Sequence, residues 1–417
     1  MIEQDNPFGD GDPSLEQDVA PTTTEHTPLE VRREFLPWHK PRKQWVRTSQ
    51  WAESIGRLAD ELRLKDLQEP LRYLSLPGPD LLDVRSIRPV CEGREIQLQF
   101  IGLNSGDDDG DAALNRALIN QVRAMPGIHQ ASEVVTDRFE HLAIKRSIAS
   151  SRIITMQRSF DVVNIDLCGS FAESMPNETN ATIPSALFSL LQHQANNRSK
   201  DWLLFLTTRS DRNAVNAETM DRFIERLNLA IEQDPTVKTE ILDHGLIQQE
   251  EFDENSIRAE RLSAASHSNV FALGIAHWIL TALTQEQPAW RADMLPHYEY
   301  HVTMQDASCD MLSLGFYCKR VPSPRQPDEF GIAHVPAAQV QPLAQIVQTC
   351  QGKIRRRIAE RIDLDQQLHM NIAEYTTSLD DSARLLAGAY YDETAYRDWA
   401  EGERIKMTRF LEKTGLT

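Results

Sequence analysis

Phe160-Asp161-Val162-Val163-Asn164-Ile165-Asp166-Leu167, followed by Cys168-Gly169-Ser170, is the stretch on which the fold turns, together with Trp202-Leu203-Leu204-Phe205-Leu206-Thr207 further on. Each is a short run of apolar residues that ends in polar or turn-forming ones. Runs that are apolar on both faces suit strands covered on both sides, as in the middle of a parallel sheet. Between them, residues 184–194 read as a helix, the crossover that two parallel strands need.

Working towards the N-terminus, strands are expected at residues 132–136, 96–103 and 81–87. Residues 111–125 are expected to be helical, with Leu114, Leu118, Ile119 and Val122 at helical spacing. Residues 71–79 read as a punctuated entry segment because Pro77-Gly78-Pro79 interrupts them. Towards the C-terminus, a long and mostly helical stretch covers 217–284. Strands at 297–304 and 310–319 then lie on either side of Gln305-Asp306-Ala307-Ser308-Cys309, a spacing that suits an antiparallel hairpin. The expected fold class is therefore α/β: a doubly wound, mostly parallel seven-stranded sheet ending in an antiparallel hairpin, with helical N- and C-terminal additions.

The expected organisation has five parts. Residues 1–30 form an acidic, disordered tail, and 31–70 a basic and aromatic helical segment. Residues 71–320 make the Rossmann-like domain, 321–335 a Pro-rich linker, and 336–417 a helical C-terminal region.

Composition narrows the function classes. The chain carries 44 Lys and Arg against 62 Asp and Glu, a net charge of −18, which argues against a protein that coats nucleic acid with its whole surface. Its five cysteines, Cys91, Cys168, Cys309, Cys318 and Cys350, include no CxxC pair, so neither a disulfide framework nor a zinc ribbon is expected. Reduced thiols and the lack of a signal-like or spanning apolar segment point to a cytoplasmic protein with no membrane contact. The histidines match no sequential metal signature: His297 and His301, four apart on a strand, would stand about 13 Å from each other. No metal is expected.

The best binding signal is the segment around Arg32, Arg33, Trp38, Lys40, Arg42, Lys43, Trp45 and Arg47, in which cations alternate with aromatic rings. Lys and Arg contact phosphates, and Trp stacks on exposed bases, so nucleic acid is the expected partner. The competing reading is a leading helix whose Trp residues pack on the domain. Lys353-Ile354-Arg355-Arg356-Arg357 reads as an exposed helix face.

This order of elements resembles class I S-adenosylmethionine (SAM) methyltransferases, in which a parallel sheet ends in an antiparallel strand. The resemblance covers residues 71–319. It implies SAM as cofactor, with Asp83 as the acid at the end of strand one, Asn104 in place of the ribose-binding acid after strand two, and Asp137 beside the adenine after strand three. Asp137 reads equally as a helix N-cap. Arg85-Ser86-Ile87-Arg88-Pro89 stands where the family has glycines. Asn164-Ile165-Asp166-Leu167-Cys168-Gly169-Ser170 is loosely similar to the Asp-Pro-Phe-Gly segment of tRNA guanine dimethyltransferases and makes Asp166 the candidate catalytic residue. Its alternative role is a polar cap on a buried strand. Cys168 reads as a packing residue rather than a nucleophile. Two functions follow from the resemblance: a methyltransferase-like protein that binds or modifies nucleic acid, or a catalytically inactive adaptor that serves a protein partner within a larger assembly.

Overall fold

The computed structural model describes residues 31–105, 112–156, 159–173, 181–322 and 341–416. The acidic tail, the loop at 106–111 and positions 323–335 of the linker lie outside the described residues.

The chain enters through a helix that starts as α1 (Pro41–Trp45), widens into a π-helical turn (Val46–Ala52) and continues as α2 (Glu53–Glu61), followed by the short α3 (Leu64–Leu67). Strand β1 (Leu71–Ser75) leads to α4 (Leu82–Glu92), β2 (Leu98–Asn104), α5 (Ala112–Arg123), β3 (Glu133–Thr136), β4 (Val162–Asp166), α6 (Ile183–Asn197) and β5 (Trp202–Arg209). Next come α7 (Ala217–Gln233), α8 (Thr236–Asp243), the small ladder of β6 (Phe252–Asp253) with β7 (Ser256–Ile257), and α9 (Ala264–Thr284). Strands β8 (Trp290–Met294), β9 (Tyr298–Tyr300) and β10 (Met311–Arg320) precede α10 (Leu343–Ala359), β11 (Ile362–Asp363), α11 (Leu364–Met370), α12 (Ile372–Ala387) and α13 (Glu393–Thr414).

The main sheet runs β11-β9-β10-β5-β4-β1-β2-β3, with β8 also pairing β10. From β5 to β3 every pairing is parallel, and β10 inserts antiparallel to β5. This is the methyltransferase order: three strands wound outwards from β1, two wound the other way, and a reversed strand beyond them. The expected doubly wound sheet with an antiparallel end is therefore present. It has nine strands instead of seven, because the partner of β10 is split between β8 and β9 and the short β11 adds at the rim.

Strand one is corrected. Residues 81–87 are not a strand but the start of α4, and β1 is the stretch read as an entry segment. The periodicities explain this. Val84, Ile87 and Cys91 recur at helical spacing and are buried, whereas in β1 Tyr73 and Leu74 face opposite cores. Pro77-Gly78-Pro79 is thus the β1–α4 loop, the turn that opens the first crossover.

Alternation sorts the sheet onto two cores. Leu74, Val163, Ile165, Leu204 and Leu206 join one with α6, α7, α9 and α10. Tyr73, Val162, Leu203 and Phe205 join the other with Trp51, Ile55 and Leu58 of the leading helix and with α4. Helix α9 is apolar nearly all round because it is buried nearly all round, and no helix among the described residues is long and apolar enough to cross a membrane. Where α7 crosses α9, Gly274 admits the Phe223 ring at a distance that leaves no room for a Cβ. A third cluster binds α12 and α13 to Leu82 of α4 and Leu118 of α5.

Two buried imidazoles make the stability depend on pH. Burial pushes His267 down to about 4, with Arg212 adding to the effect, and His297 down to about 3, with Arg361 adding to it. Both lie below the ordinary value of 6.5, so their neutral forms contribute stability that is present above pH 6.5 and lost as pH falls towards 4 and 3. Across that window each loses up to about 1.4 kcal/mol per pH unit. Urea midpoints measured from pH 7 to pH 4 are expected to fall steadily, and a flat series would contradict this placement of the two rings.

Candidate functional site

In an open α/β sheet, ligands bind outside the carboxyl ends of the strands, where the winding reverses. Here that point lies between β1 and β4, whose ends are paired through Ser75 and Asn164. Three of the residues singled out in the sequence come out along this edge. Asn104 is the last residue of β2, Asp137 follows β3, and Asp166 is the last residue of β4. Asn104 and Asp137 are neighbours, since the Asp137 N–H donates to the Asn104 carbonyl over 3.1 Å.

Asp83 is elsewhere. It sits in the first turn of α4, 7% exposed, and its Oδ2 accepts the Tyr73 hydroxyl over 3.0 Å, while the Asn164 amide donates to that same hydroxyl over 2.8 Å. It is not the acid at the end of strand one; Ser75 holds that position. Burial holds the Asp83 carboxyl above its usual range.

The other two are engaged by the chain itself. The Asn104 amide donates to the Pro77 carbonyl over 3.4 Å, tying β2 to the β1–α4 loop. Gly102 makes that approach feasible, because a Cβ there would stand 2.6 Å from Pro77 Cγ. Asp137 accepts the backbone N–H groups of Arg138 and Ala149 over 2.9 and 2.8 Å, and its Oδ1 lies 2.6 Å from His141 Nδ1. Burial acts to raise its pKa, but these hydrogen bonds outweigh it and keep the carboxyl below the usual range.

Asp166 has a partner that was read differently in the sequence. Lys43 Nζ lies 2.5 Å from its Oδ1 and within 3.5 Å of Thr207 Oγ1 and Tyr300 Oη, over the Trp51 ring at 4.8 Å. Burial disfavours the ammonium, but the Asp166 carboxylate and Tyr300 outweigh that and hold Lys43 above the ordinary lysine value.

The rest of the basic and aromatic segment behaves alike, which corrects its expected role as a nucleic-acid face. Lys40 pairs with Glu403 at 2.7 Å, Arg42 with Asp365 at 2.5 Å, Arg33 with Asp392 at 2.9 Å, and Arg32 with Asp80. Arg47, 4% exposed, donates to the Trp38 carbonyl over 3.1 Å. Trp45 stacks edge-on to Tyr298, and Trp38 packs on the α12–α13 cluster. Of these eight residues only Arg33 is exposed. In a strongly acidic chain the cations sit where carboxylates converge, so the segment is an internal strap. Asp80 of the β1–α4 loop is held the same way: it also accepts the Tyr391 hydroxyl, and His39 Nε2 faces it at 3.4 Å. Among the residues of the basic knot, Arg355 is likewise buried against Glu240.

Beyond Asp166 an open cleft of about 580 Å3 is lined by Cys168, Glu173, Arg209, Asp211 and Asn216. Cys168 is exposed there and is not a packing residue. Of the groups around Asp166, Lys43 and Arg47 were read in the sequence as part of the nucleic-acid segment, and Tyr300 of β9 carried no signal there.

The fit of this edge to a SAM-like ligand is partial. Asn164 Oδ1 at the switch point is fully buried and has no hydrogen-bond partner among the described residues, so it is a polar atom left over for a ligand that reaches this depth. Against that, one glycine, Gly78, stands in a loop with two prolines.

A family model described as PP_RS20740-like matches residues 32–401. No curated protein matches the sequence. Solved structures with a similar course include an rRNA methylase from Streptococcus thermophilus, at 6% identity over 60% of this chain and 87% of that one, with a TM-score of 0.29. The plantazolicin methyltransferase BamL, solved with S-adenosylhomocysteine, matches at 10% identity over 68% and 96%, with a TM-score of 0.28. A protein from Listeria monocytogenes described as a class I SAM-dependent methyltransferase matches at 11% over 73% and 71%, also at 0.28. The fold assignment rests on the strand order, not on these values.

Proposed function

The chain belongs to the PP_RS20740-like family, and from that premise and its methyltransferase strand order we propose that it binds SAM across the carboxyl ends of β1 to β3 and presents an amino-bearing acceptor to Asp166. The observation that carries this reading is the convergence of Asn104, Asp137 and Asp166 on the ends of three strands around the switch point. SAM supplies an activated methyl group, so the protein has little proton transfer to perform and much alignment. Asn104 would face the ribose hydroxyls and Asp137 the adenine side. Asp166 would accept an N–H of the acceptor and leave its lone pair directed outwards, with Lys43 fixing the carboxylate. An exocyclic amine of a nucleobase is the acceptor this arrangement fits, and it would enter by the cleft at Cys168 and Arg209. The strap supplies no exposed cations for its phosphates apart from Arg33, so the nucleic-acid contact would fall on other surfaces.

A specific observation favours the second reading, an inactive adaptor. Asn104 and Asp137 are satisfied within the chain, and Asp80 is clamped by Arg32 and Tyr391. Calorimetric titration with SAM and S-adenosylhomocysteine decides between the two. Micromolar binding is expected, strengthened several-fold in Asn104→Asp, because a charged acceptor bonds a hydroxyl more strongly than an amide does. A cooperatively folding protein that binds neither compound, with Asn104→Asp no better, would leave the adaptor reading in its place.

A further inference from the structure

We propose that His301, Cys309 and Asp363 form a structural site for a thiolate-binding divalent cation of the zinc class. The three residues come from different places: His301 follows β9, Cys309 precedes β10, and Asp363 ends β11 and caps α11. No sequence spacing announces them. Their ligand atoms all lie within 4.8 Å of one another. The Cys309 Sγ to His301 Nδ1 distance is 3.6 Å. Two ligands on a tetrahedral zinc, with bonds of about 2.3 Å to sulfur and about 2.0 Å to nitrogen, stand roughly 3.6 Å apart.

The surroundings prepare each ligand. His301 Nε2 faces the Ala307 carbonyl at 3.4 Å, and Nδ1 faces both Asp365 Oδ2 at 3.1 Å and Cys309 Sγ at 3.6 Å, so a metal on Nδ1 would take the place of the hydrogen shared with Asp365 and leave the one on Nε2. Asp363 is oriented by the N–H groups of Asp365 and Gln366 on one oxygen and by the Gln366 amide on the other. Asp365 Oδ2, 3.1 Å from His301 Nδ1, is at hand for the fourth position, while Arg42 holds its other oxygen. His301 is fully buried and Cys309 is 7% exposed, while Asp363 is half-buried at the rim of the cluster. Once His301 and Cys309 give up their protons, two carboxylates and a thiolate face Arg42 as the paired cation, a negative excess that a divalent ion offsets. Binding replaces the Cys309 thiol proton and any proton on Nδ1 with the metal, and both leave to solvent. The ion would pin the 301–310 connection to the β11–α11 junction, one residue from Tyr300 and hence from Lys43.

The test uses the full chain, stripped with a chelator and titrated with cobalt(II). One equivalent is expected to bind with a strong thiolate-to-cobalt charge-transfer band, displaced by zinc. The band is lost in Cys309→Ser, with zinc affinity down about a hundredfold or more, and kept in Cys168→Ser. Absence of a saturable band in the wild type, or its persistence in Cys309→Ser, would overturn the site and leave a hydrogen-bonded triad. Should Cys309→Ser not fold, zinc-edge X-ray absorption of the wild type decides: one sulfur with lighter ligands is expected, and a shell without sulfur refutes the proposal.

Discussion

Arg42→Met is expected to destabilise the protein by about 3–5 kcal/mol, a large part of the roughly 5–15 kcal/mol that holds a typical domain folded. The Arg42 side chain is 7% exposed and that of Asp365 is 4% exposed. Asp365 also accepts the His301 backbone N–H over 2.7 Å, so it cannot swing out to water when the guanidinium is gone. What remains is a buried carboxylate that faces the His301 imidazole, with Lys40 nearby but already paired to Glu403. Arg42 also lies over the Tyr300 ring at 5.5 Å, so packing is lost as well. The double variant Arg42→Met with Asp365→Leu should recover most of the loss, because a buried pair replaced by apolar groups is often near neutral. It should stay about 1–3 kcal/mol below the wild type, the cost of the orphaned His301 N–H. Urea unfolding of the three proteins measures this. Equal losses in the single and double variants would mean that the strap is held by something other than this pair.

Asp166→Asn is expected to be more destabilising than Lys43→Met and, on the proposed reading, to abolish methyl transfer while leaving SAM binding intact. The asymmetry comes from depth: the Lys43 side chain is 6% exposed and that of Asp166 is 22% exposed. Removing the lysine leaves a carboxylate that water partly reaches, at a cost of roughly 2–3 kcal/mol; removing the carboxylate leaves a buried ammonium, at roughly 3–5 kcal/mol. In the wild type the Lys43 pKa is raised, so the pair contributes stability that is present below the lysine's unfolded value of 10.5 and lost as pH rises through the folded value. In Asp166→Asn the carboxylate no longer offsets burial, so the lysine value falls. The gap between the wild type and Asp166→Asn is therefore widest near neutral pH and narrows as pH rises from the variant's lowered lysine value, below 10.5, through the raised value of the wild type. A gap independent of pH would remove the charge pair as its cause. Methyl transfer that survives Asp166→Asn would remove Asp166 from the chemistry.

The central strands were legible from the residues alone. β4 and β5 carry apolar residues on both faces because helices cover both. The hairpin was legible from its spacing, and β8 was missed although Trp290-Arg291-Ala292-Asp293-Met294 alternates apolar and polar residues as a half-buried strand does, over only five positions. Strand one was misread because Leu82-Asp83-Val84 is apolar and brief enough to pass for a strand, while the true β1 is shadowed by the prolines after it. Asp83 was misplaced with it.

By itself the sequence determined the α/β class, the crossover between β4 and β5, and the strand ends that carry Asn104, Asp137 and Asp166. These depend on periodicity and on residues close along the chain, which local sterics and burial dictate. Tertiary structure alone decided the partners. Whether Lys43 meets a phosphate or Asp166 is settled by a contact across 123 positions, and Arg42 reaches Asp365 across 323. Nothing in the local chemistry of a lysine distinguishes those outcomes. They follow from the energy of desolvating a cation, which is met only where the folded chain brings a carboxylate to it. The same holds for His301, Cys309 and Asp363, which no spacing in the sequence relates until the sheet edge brings them together.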